Sequence, residues 1–315
     1  MKIKDIIPQY ISYRQSLGEK FESNAAQLQC FLRYVDREME IGELGIETCT
    51  AFLFAPTGKV TAGWFCKHSA LKGLFEWAMI RKYVTALPLP ADKPKRPQGM
   101  TPYIYSNEEL KRLFSTALTF QITRSRTYPE CIRMILMLTF MLGLRLRETV
   151  SLKVGDIDCE NAFVHINETK FYKSRIVPFN NTVKCILTVF MDWRKQNRQP
   201  QNAETALFLD RQAIPVCIHT VRGCFKRIRS KAGILRDEDA LFQPRIHDLR
   251  HTFAVKRLTG WYSEGKDVQK LLPHLSTFLG HKHLAHTSVY LTMTENLLEE
   301  ANNRFESYVN NESNG

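Results

Sequence analysis

Four short segments carry the side chains that a metal-free phosphodiester transfer requires. They are Gly143-Leu144-Arg145-Leu146-Arg147-Glu148, Lys170-Phe171-Tyr172-Lys173-Ser174-Arg175-Ile176-Val177-Pro178, His247-Asp248-Leu249-Arg250, and Leu279-Gly280-His281 followed nine residues later by Tyr290. Attack on a phosphodiester crowds negative charge onto the non-bridging oxygens, and guanidinium groups that fork onto those oxygens are natural stabilisers. An imidazole, with an unperturbed pKa near ~6.5, can hydrogen-bond the phosphate or carry a proton. An ammonium on a flexible stem can protonate a departing oxygen. A phenol can attack and hold the phosphoryl group as an ester.

In order, spacing and local context these segments resemble the catalytic pattern of the tyrosine recombinase (phage integrase) family. That pattern is an Arg ending an apolar helix, a Lys on a hairpin, His-x-x-Arg, Leu-Gly-His and a terminal Tyr. The resemblance covers residues 105–309 and, more loosely, the helical N-terminal part, which is similar to the family's core-binding, SAM-like module. It implies a site-specific recombinase that cuts and rejoins duplex DNA through a 3′-phosphotyrosine on Tyr290. Arg145 and Arg250 would hold the phosphate, and His247 and His281 would hydrogen-bond it or take the tyrosine proton. Lys170, the first lysine of Lys-x-x-Lys-x-Arg-x-Val-Pro, would protonate the 5′ oxygen. Lys173 and Arg175 are expected to touch the DNA backbone or the hairpin itself. Glu148, one helical turn beyond Arg145, is expected to steady a guanidinium or a histidine. The resemblance implies no cofactor: the phosphotyrosine keeps the energy of the broken bond without ATP, and arginines supply the charge a metal would. His251, His274, His283 and His286 have no slot in the pattern and are assigned to surface or packing roles.

Two departures narrow the resemblance. The stretch from Arg250 to His281 is several residues longer than in compact chromosome-resolving members, and Leu291-Thr292 follows Tyr290 in place of the common Thr-His. Both are similar to a subgroup carried by transposons and other mobile elements, which implies integration, excision or transposition. Two other functions use overlapping parts: a type IB topoisomerase, and a catalytically idle DNA-binding accessory protein on the same scaffold. The Leu-Gly-His and His-x-x-Arg contexts argue against the first, and a pure binder has no chemical need for Tyr290 with both arginines.

The elements that must position these residues follow from the hydrophobic pattern. The 315 residues are 44% hydrophobic and 24% charged, a globular composition long enough for two domains. The net charge of +12 suits a polyanionic partner. Residues 1–95 carry 13 Lys/Arg against 10 Asp/Glu, so most of the excess lies later. Eight cysteines without a CxxC pair, several in apolar helical runs such as Cys131 and Cys185, read as buried thiols of a reducing cytoplasm. No run approaches the ~18 apolar residues of a membrane span.

Residues 1–86 read as a helical domain, with Ile6, Ile7, Tyr10, Ile11, Tyr13 and Leu17 at helical spacing. Residues 87–104 form a proline-rich linker, and its Lys93, Lys95 and Arg96 are either solvated charges or contacts to a phosphate backbone. Ser106-Asn107-Glu108-Glu109 reads as a capping box opening a catalytic domain over 105–315. Strands are predicted at Phe163–Ile166 and Arg175–Pro178, and helices at Thr182–Gln196, His219–Ala232, His247–Leu258, Val268–Leu279 and Asn296–Tyr308. The terminal helix would pack on its own domain or on a neighbouring subunit. The fold class is therefore mainly α with a small antiparallel sheet (α+β). The resemblance implies a C-shaped clamp on double-stranded DNA, working as a homo-tetramer or a mixed recombinase assembly.

Overall fold

The computed structural model describes residues 1–97, 100–120, 125–167, 174–236, 240 and 242–292. The chain divides into two compact units, Met1–Gly99 and Met100–Gly315. Lys170, Lys173 and the predicted helix Asn296–Tyr308 lie outside the described residues. No described helix is long and apolar enough to cross a membrane.

The first unit is built on α1 (Ile3–Ser16), α2 (Glu22–Tyr34), α3 (Ile46–Phe54) and α4 (Ala62–Ile80). Ile3, Ile6, Ile7 and Tyr10 recur at helical spacing and are buried with Leu28, Phe31, Trp64, Leu74 and Phe75. Past α4 the prolines hold the chain out of regular structure, although Leu89 still packs into this core. Lys93 and Lys95 are exposed, and the Arg96 guanidinium lies 4.9 Å over the ring of Phe65.

The second unit opens with α5 (Asn107–Thr119), where Ser106 and Glu109 form the expected reciprocal capping box. Next, α6 (Pro129–Met141) is buried around most of its circumference because α5 and α10 both pack on it. A short helix, α7 (Leu146–Val150), leads to a three-stranded antiparallel sheet in the order β1 (Ile157–Asp158), β2 (Phe163–Ile166), β3 (Arg175–Pro178). Pairing of Val164 with Val177 puts both on the core face. By strand alternation Arg175 shares that inward face, and Ile176 points outward at 58% exposure. The helices α8 (Asn181–Gln196), α9 (Ile218–Lys231), α10 (Ile246–Ser263) and α11 (Val268–Leu279) complete the layer.

One expectation about the cysteines is corrected. Cys49, Cys131 and Cys224 are buried, but Cys30, Cys66, Cys185 and Cys217 are exposed and Cys159 is half-buried. The inward face of α8 is set by Val183, Leu187, Phe190 and Arg194, and Cys185 falls off that stripe.

Gly143 is where packing and backbone conformation meet. It follows α6 at φ +56°, and a Cβ there would lie 2.5 Å from Phe253 Cδ1 and 2.9 Å from Leu279 Cδ2. Only glycine both adopts this turn cheaply and lets α10 and α11 close on the end of α6. Gly143→Ala is expected to cost at least ~1 kcal/mol and lower the melting temperature by roughly 2–4 °C or more. Gly260→Ala, inside α10 with open space at its Cβ position, should raise it. Calorimetry of the two variants checks the opposite signs.

Candidate active site

The site is assembled at the C-terminal end of α11. Gly280 caps this helix in the left-handed conformation, φ +67°, with its N–H on Thr277 O at 2.9 Å and the His281 N–H on Ser276 O at 3.0 Å. This closure leaves three consecutive carbonyls, of Phe278, Leu279 and Gly280, for other donors. Arg175 Nε donates to Phe278 O at 3.0 Å, Arg250 Nη2 to Leu279 O at 2.7 Å, and Arg145 Nη2 to Gly280 O at 2.8 Å. Three guanidiniums from a strand, a long helix and a helix cap thus converge where the helix dipole is negative. A side chain at Gly280 would run into Arg175 Nη1 at 2.9 Å.

Glu148 holds the other side of two of these arginines. It sits at the third position of α7, where one carboxylate oxygen accepts from the Arg145 backbone N–H at 2.9 Å. It also accepts from Arg145 Nη1 at 2.8 Å and from Arg175 Nη1 and Nη2 at 3.0 and 2.9 Å. Burial alone would raise its pKa, but the bidentate Arg175 pair and the Arg145 contacts win and hold it at about 2. Arg250 is 1% exposed, and its second arm donates to Gly143 O at 2.7 Å. Burial and the nearby Arg145 charge lower its pKa to about 10, so it stays charged at neutral pH. Among the described residues, three guanidiniums here face one carboxylate, an excess of two positive charges in a partly buried place. The adjoining Asp248 is taken by Arg245 at 2.7 Å and adds nothing to the balance.

Tyr290 follows the short helix α12 (Ala285–Ser288) on a 3-10 turn, Val289–Thr292, and is 2% exposed against Phe253, Leu258, Leu275 and Leu279. Its hydroxyl lies 3.0 Å from His251 Nδ1 and beside the Arg250 guanidinium. Burial raises the phenol pKa, while Arg250 and Arg145 pull it back. The His281 ring lies over the Tyr290 ring, centroids 6.2 Å apart at 26°, and turns its Nδ1 to Thr287 Oγ1 at 2.8 Å. His247 keeps an exposed edge and meets His251 edge-on at 4.6 Å.

All three imidazoles are driven toward the neutral form. Burial first, then His247, Arg245 and Arg250, lower His251 to about 4; burial, then Arg250 and Arg145, lower His281 to about 3. His247 shifts in the same direction, through burial and then Arg250 and Arg245. Neutral imidazoles can accept protons, which is what a site awaiting an anion and a nucleophile needs.

Of the residues expected at the site, Arg145, Glu148, His247, Arg250, His281 and Tyr290 come together here. Lys170 and Lys173 lie outside the described residues, and Lys93, Lys95 and Arg96 belong to the first unit. Arg175, expected on the DNA backbone or the hairpin, is 12% exposed and spent on Glu148 and Phe278. His251 was assigned to packing, yet it is the imidazole on the phenol. A helical signal was available: it sits four residues after His247, on the same face of α10.

Three guanidiniums, three imidazoles and a buried tyrosine gathered in this way fit the tyrosine recombinase class. The comparisons agree. The phage integrase family profile matches residues 105–296. An integrase/recombinase of Sinorhizobium fredii, y4rB, is 30% identical over 96% of this chain and 96% of its own length. The tyrosine recombinase XerC of Bacillus pumilus is 27% identical over 74% of this chain and 71% of its own. The fold is shared with the Tn1549 transposon integrase in complex with a circular intermediate DNA, with a TM-score of 0.70 at 16% identity, covering 98% of this chain and 99% of that one. It is shared also with a λ integrase dimer bound to a COC′ core site, TM-score 0.66 at 16% identity, covering 94% and 97%. The chain belongs to the phage integrase family and is a tyrosine site-specific recombinase.

Two outcomes follow from this geometry. Arg175→Gln should cost ~3 kcal/mol, because it breaks a largely buried ion pair. It should leave the slope of log affinity against log salt on a random-sequence duplex unchanged, whereas loss of a phosphate contact would lower that slope by ~0.9. Urea unfolding and a salt titration read the two effects. The depressed histidines also set an acid window. The unfolded chain takes up protons near ~6.5 and the folded site does not, so their stabilising contribution is whole above ~6.5. It is lost as pH falls through about 4 for His251 and about 3 for His281. Melting temperature should therefore drop from pH 7 to pH 4, and drop less in His251→Phe.

Proposed function

We propose that the recombinase cuts one strand of duplex DNA by attack of Tyr290 Oη on a scissile phosphodiester. The Oη–P bond forms, the P–O5′ bond breaks, and the chain carries a 3′-phosphotyrosine until a 5′ hydroxyl reverses the step. Arg145 and Arg250 fork onto the non-bridging oxygens, with His247 and His281 beside them, and Lys170 delivers the proton to the 5′ oxygen. Glu148 steadies the arginines. Lys93, Lys95, Arg96 and Lys173 meet the phosphate backbone of double-stranded DNA. The helical unit 1–86 binds the core site, residues 87–104 link it, and the unit from 105 catalyses.

The observation that carries this reading is the pair of uncompensated positive charges beside a buried phenol. A phosphodiester monoanion gaining charge in its transition state is what such a place stabilises, and no ATP or metal is required of it. The working assembly is a tetramer of this chain or a mixed recombinase assembly in the cytoplasm. Its substrate is a mobile element that integrates, excises or transposes, a role favoured by the likeness to the transposon integrase.

The test begins at the chain's own genomic locus: sequence rearranged junctions, then challenge the protein with nicked duplexes built from them, in EDTA. Wild type should give a denaturant-resistant protein–DNA adduct, and Tyr290→Phe none. An adduct in both removes Tyr290 as nucleophile. Tight binding without an adduct in either makes the chain an accessory binder, and adducts on every duplex regardless of sequence favour topoisomerase-like relaxation.

A further inference from the structure

The phenol of Tyr290 is buried with its hydroxyl 3.0 Å from His251 Nδ1. We propose that His251 is the proton partner of the nucleophile: its Nδ1 accepts the Oη–H bond at rest and takes that proton as Oη attacks phosphorus. The inference rests on the reading of Tyr290 given above and adds the group that activates it.

The geometry is that of a general base already in place. The separation lies within the ~2.6–3.2 Å reach for proton transfer. His251 stands in the second turn of α10, one residue from Arg250, so its backbone is fixed by the element that anchors the phosphate-facing guanidinium. The ring planes tilt by 59° with centroids 5.4 Å apart, so the imidazole meets the phenol without stacking on it. The other nearby imidazole, His281, stacks on Tyr290 and spends Nδ1 on Thr287, which suits it to holding the ring rather than the proton.

The surrounding charges fit the sequence of events. His251 is faced by His247, Asp248, Arg245 and Arg250 of α10 and its cap, and by His281 and Tyr290 from the segment after α11. With no anion bound, that cationic field favours a neutral ring with a free lone pair. A bound phosphodiester cancels one positive charge, and attack adds another negative charge, so the imidazolium becomes acceptable when it forms. In the step, the Oη–H pair becomes the Oη–P bond, the proton moves to His251, and the 5′ oxygen leaves with a proton from Lys170. On rejoining, the His251 imidazolium returns its proton to Oη as the P–Oη bond breaks.

The test is single-turnover adduct formation on the nicked junction duplex, made once with an ordinary scissile phosphate and once with a 5′-bridging phosphorothiolate. The thiolate leaves without a proton, so the second substrate silences the leaving-group acid. His251→Asn keeps an acceptor near the Nδ1 position but takes no proton; His251→Phe keeps neither. Both variants should lose about 10²–10⁴-fold in rate on both substrates and keep wild-type DNA affinity. Wild type on the phosphorothiolate should show an acidic limb in its pH–rate profile that His251→Asn lacks. An Asn variant within threefold of wild type would reduce His251 to a positioning residue, and rescue of either variant by the phosphorothiolate would move it to the leaving group. If the variants fail to fold, a wild-type profile with no acidic limb on the phosphorothiolate overturns the proposal. An adduct formed by Tyr290→Phe in parallel would show instead that the nucleophile assignment beneath it has failed.

Discussion

The second unit depends on one constraint: several guanidiniums must be held close together, largely out of water, without a carboxylate for each. The end of α11 solves this with backbone. Gly280 turns the helix so that the carbonyls of Phe278, Leu279 and Gly280 are free, and each takes an arm from a different arginine. Carbonyls are weaker partners than carboxylates, but they satisfy the donors and leave the charge unneutralised. Among the described residues only Glu148 subtracts from it, and Glu148 is shared between Arg145 and Arg175. Had each arginine been given its own acid, the site would be more stable empty and useless to an anion.

The remaining electrostatics descend from that surplus. The histidines are neutral because burial and the arginines both oppose their protonation, and the phenol is pulled back toward ionisation by the charges that would receive the phosphate. The guanidiniums are gathered before any substrate arrives, with arms on the carbonyls of Gly143, Phe278, Leu279 and Gly280 and on Glu148. In return the resting fold holds a buried Arg250 with no acid of its own, and needs glycine at two left-handed positions packed against Phe253, Leu279 and Arg175.

Much of this was legible in the residues alone. The β2 and β3 limits, the capping box at Ser106 and the span of α11 follow from local rules of alternation, capping and periodicity, and the structure has them where those rules put them. The five-residue α7 and the two-residue β1 are too short to leave a periodic trace. Local patterns left the partners of Arg175 and His251 open. The Arg175-x-Val177 alternation turns Arg175 inward, where Glu148, 27 positions away in the chain, and the Phe278 carbonyl receive it. His251 gained its meaning from Tyr290, 39 positions on: its spacing from His247 marks a shared helix face, but not the phenol that meets it.

The two arms of Arg250 explain how the buried Tyr290 phenol is set against the rest of the site. One arm fixes the end of α6 through Gly143, the other fixes the end of α11 through Leu279, and the same guanidinium borders the phenol. α10 therefore measures the distance between three segments that are far apart in sequence. A shift of the 3-10 turn carrying Tyr290 would break the His251 contact without disturbing this frame, since the arginine anchors are backbone atoms of α6 and α11 rather than of the turn. The guanidiniums and the phenol are thus held differently: the arginines are anchored on backbone carbonyls, while the tyrosine is held by His251, by the Arg250 guanidinium beside its hydroxyl, by one stacked ring and by apolar burial. On the reading proposed above, in which Tyr290 carries the covalent attachment, the guanidiniums would stay constant while that attachment moves with the turn.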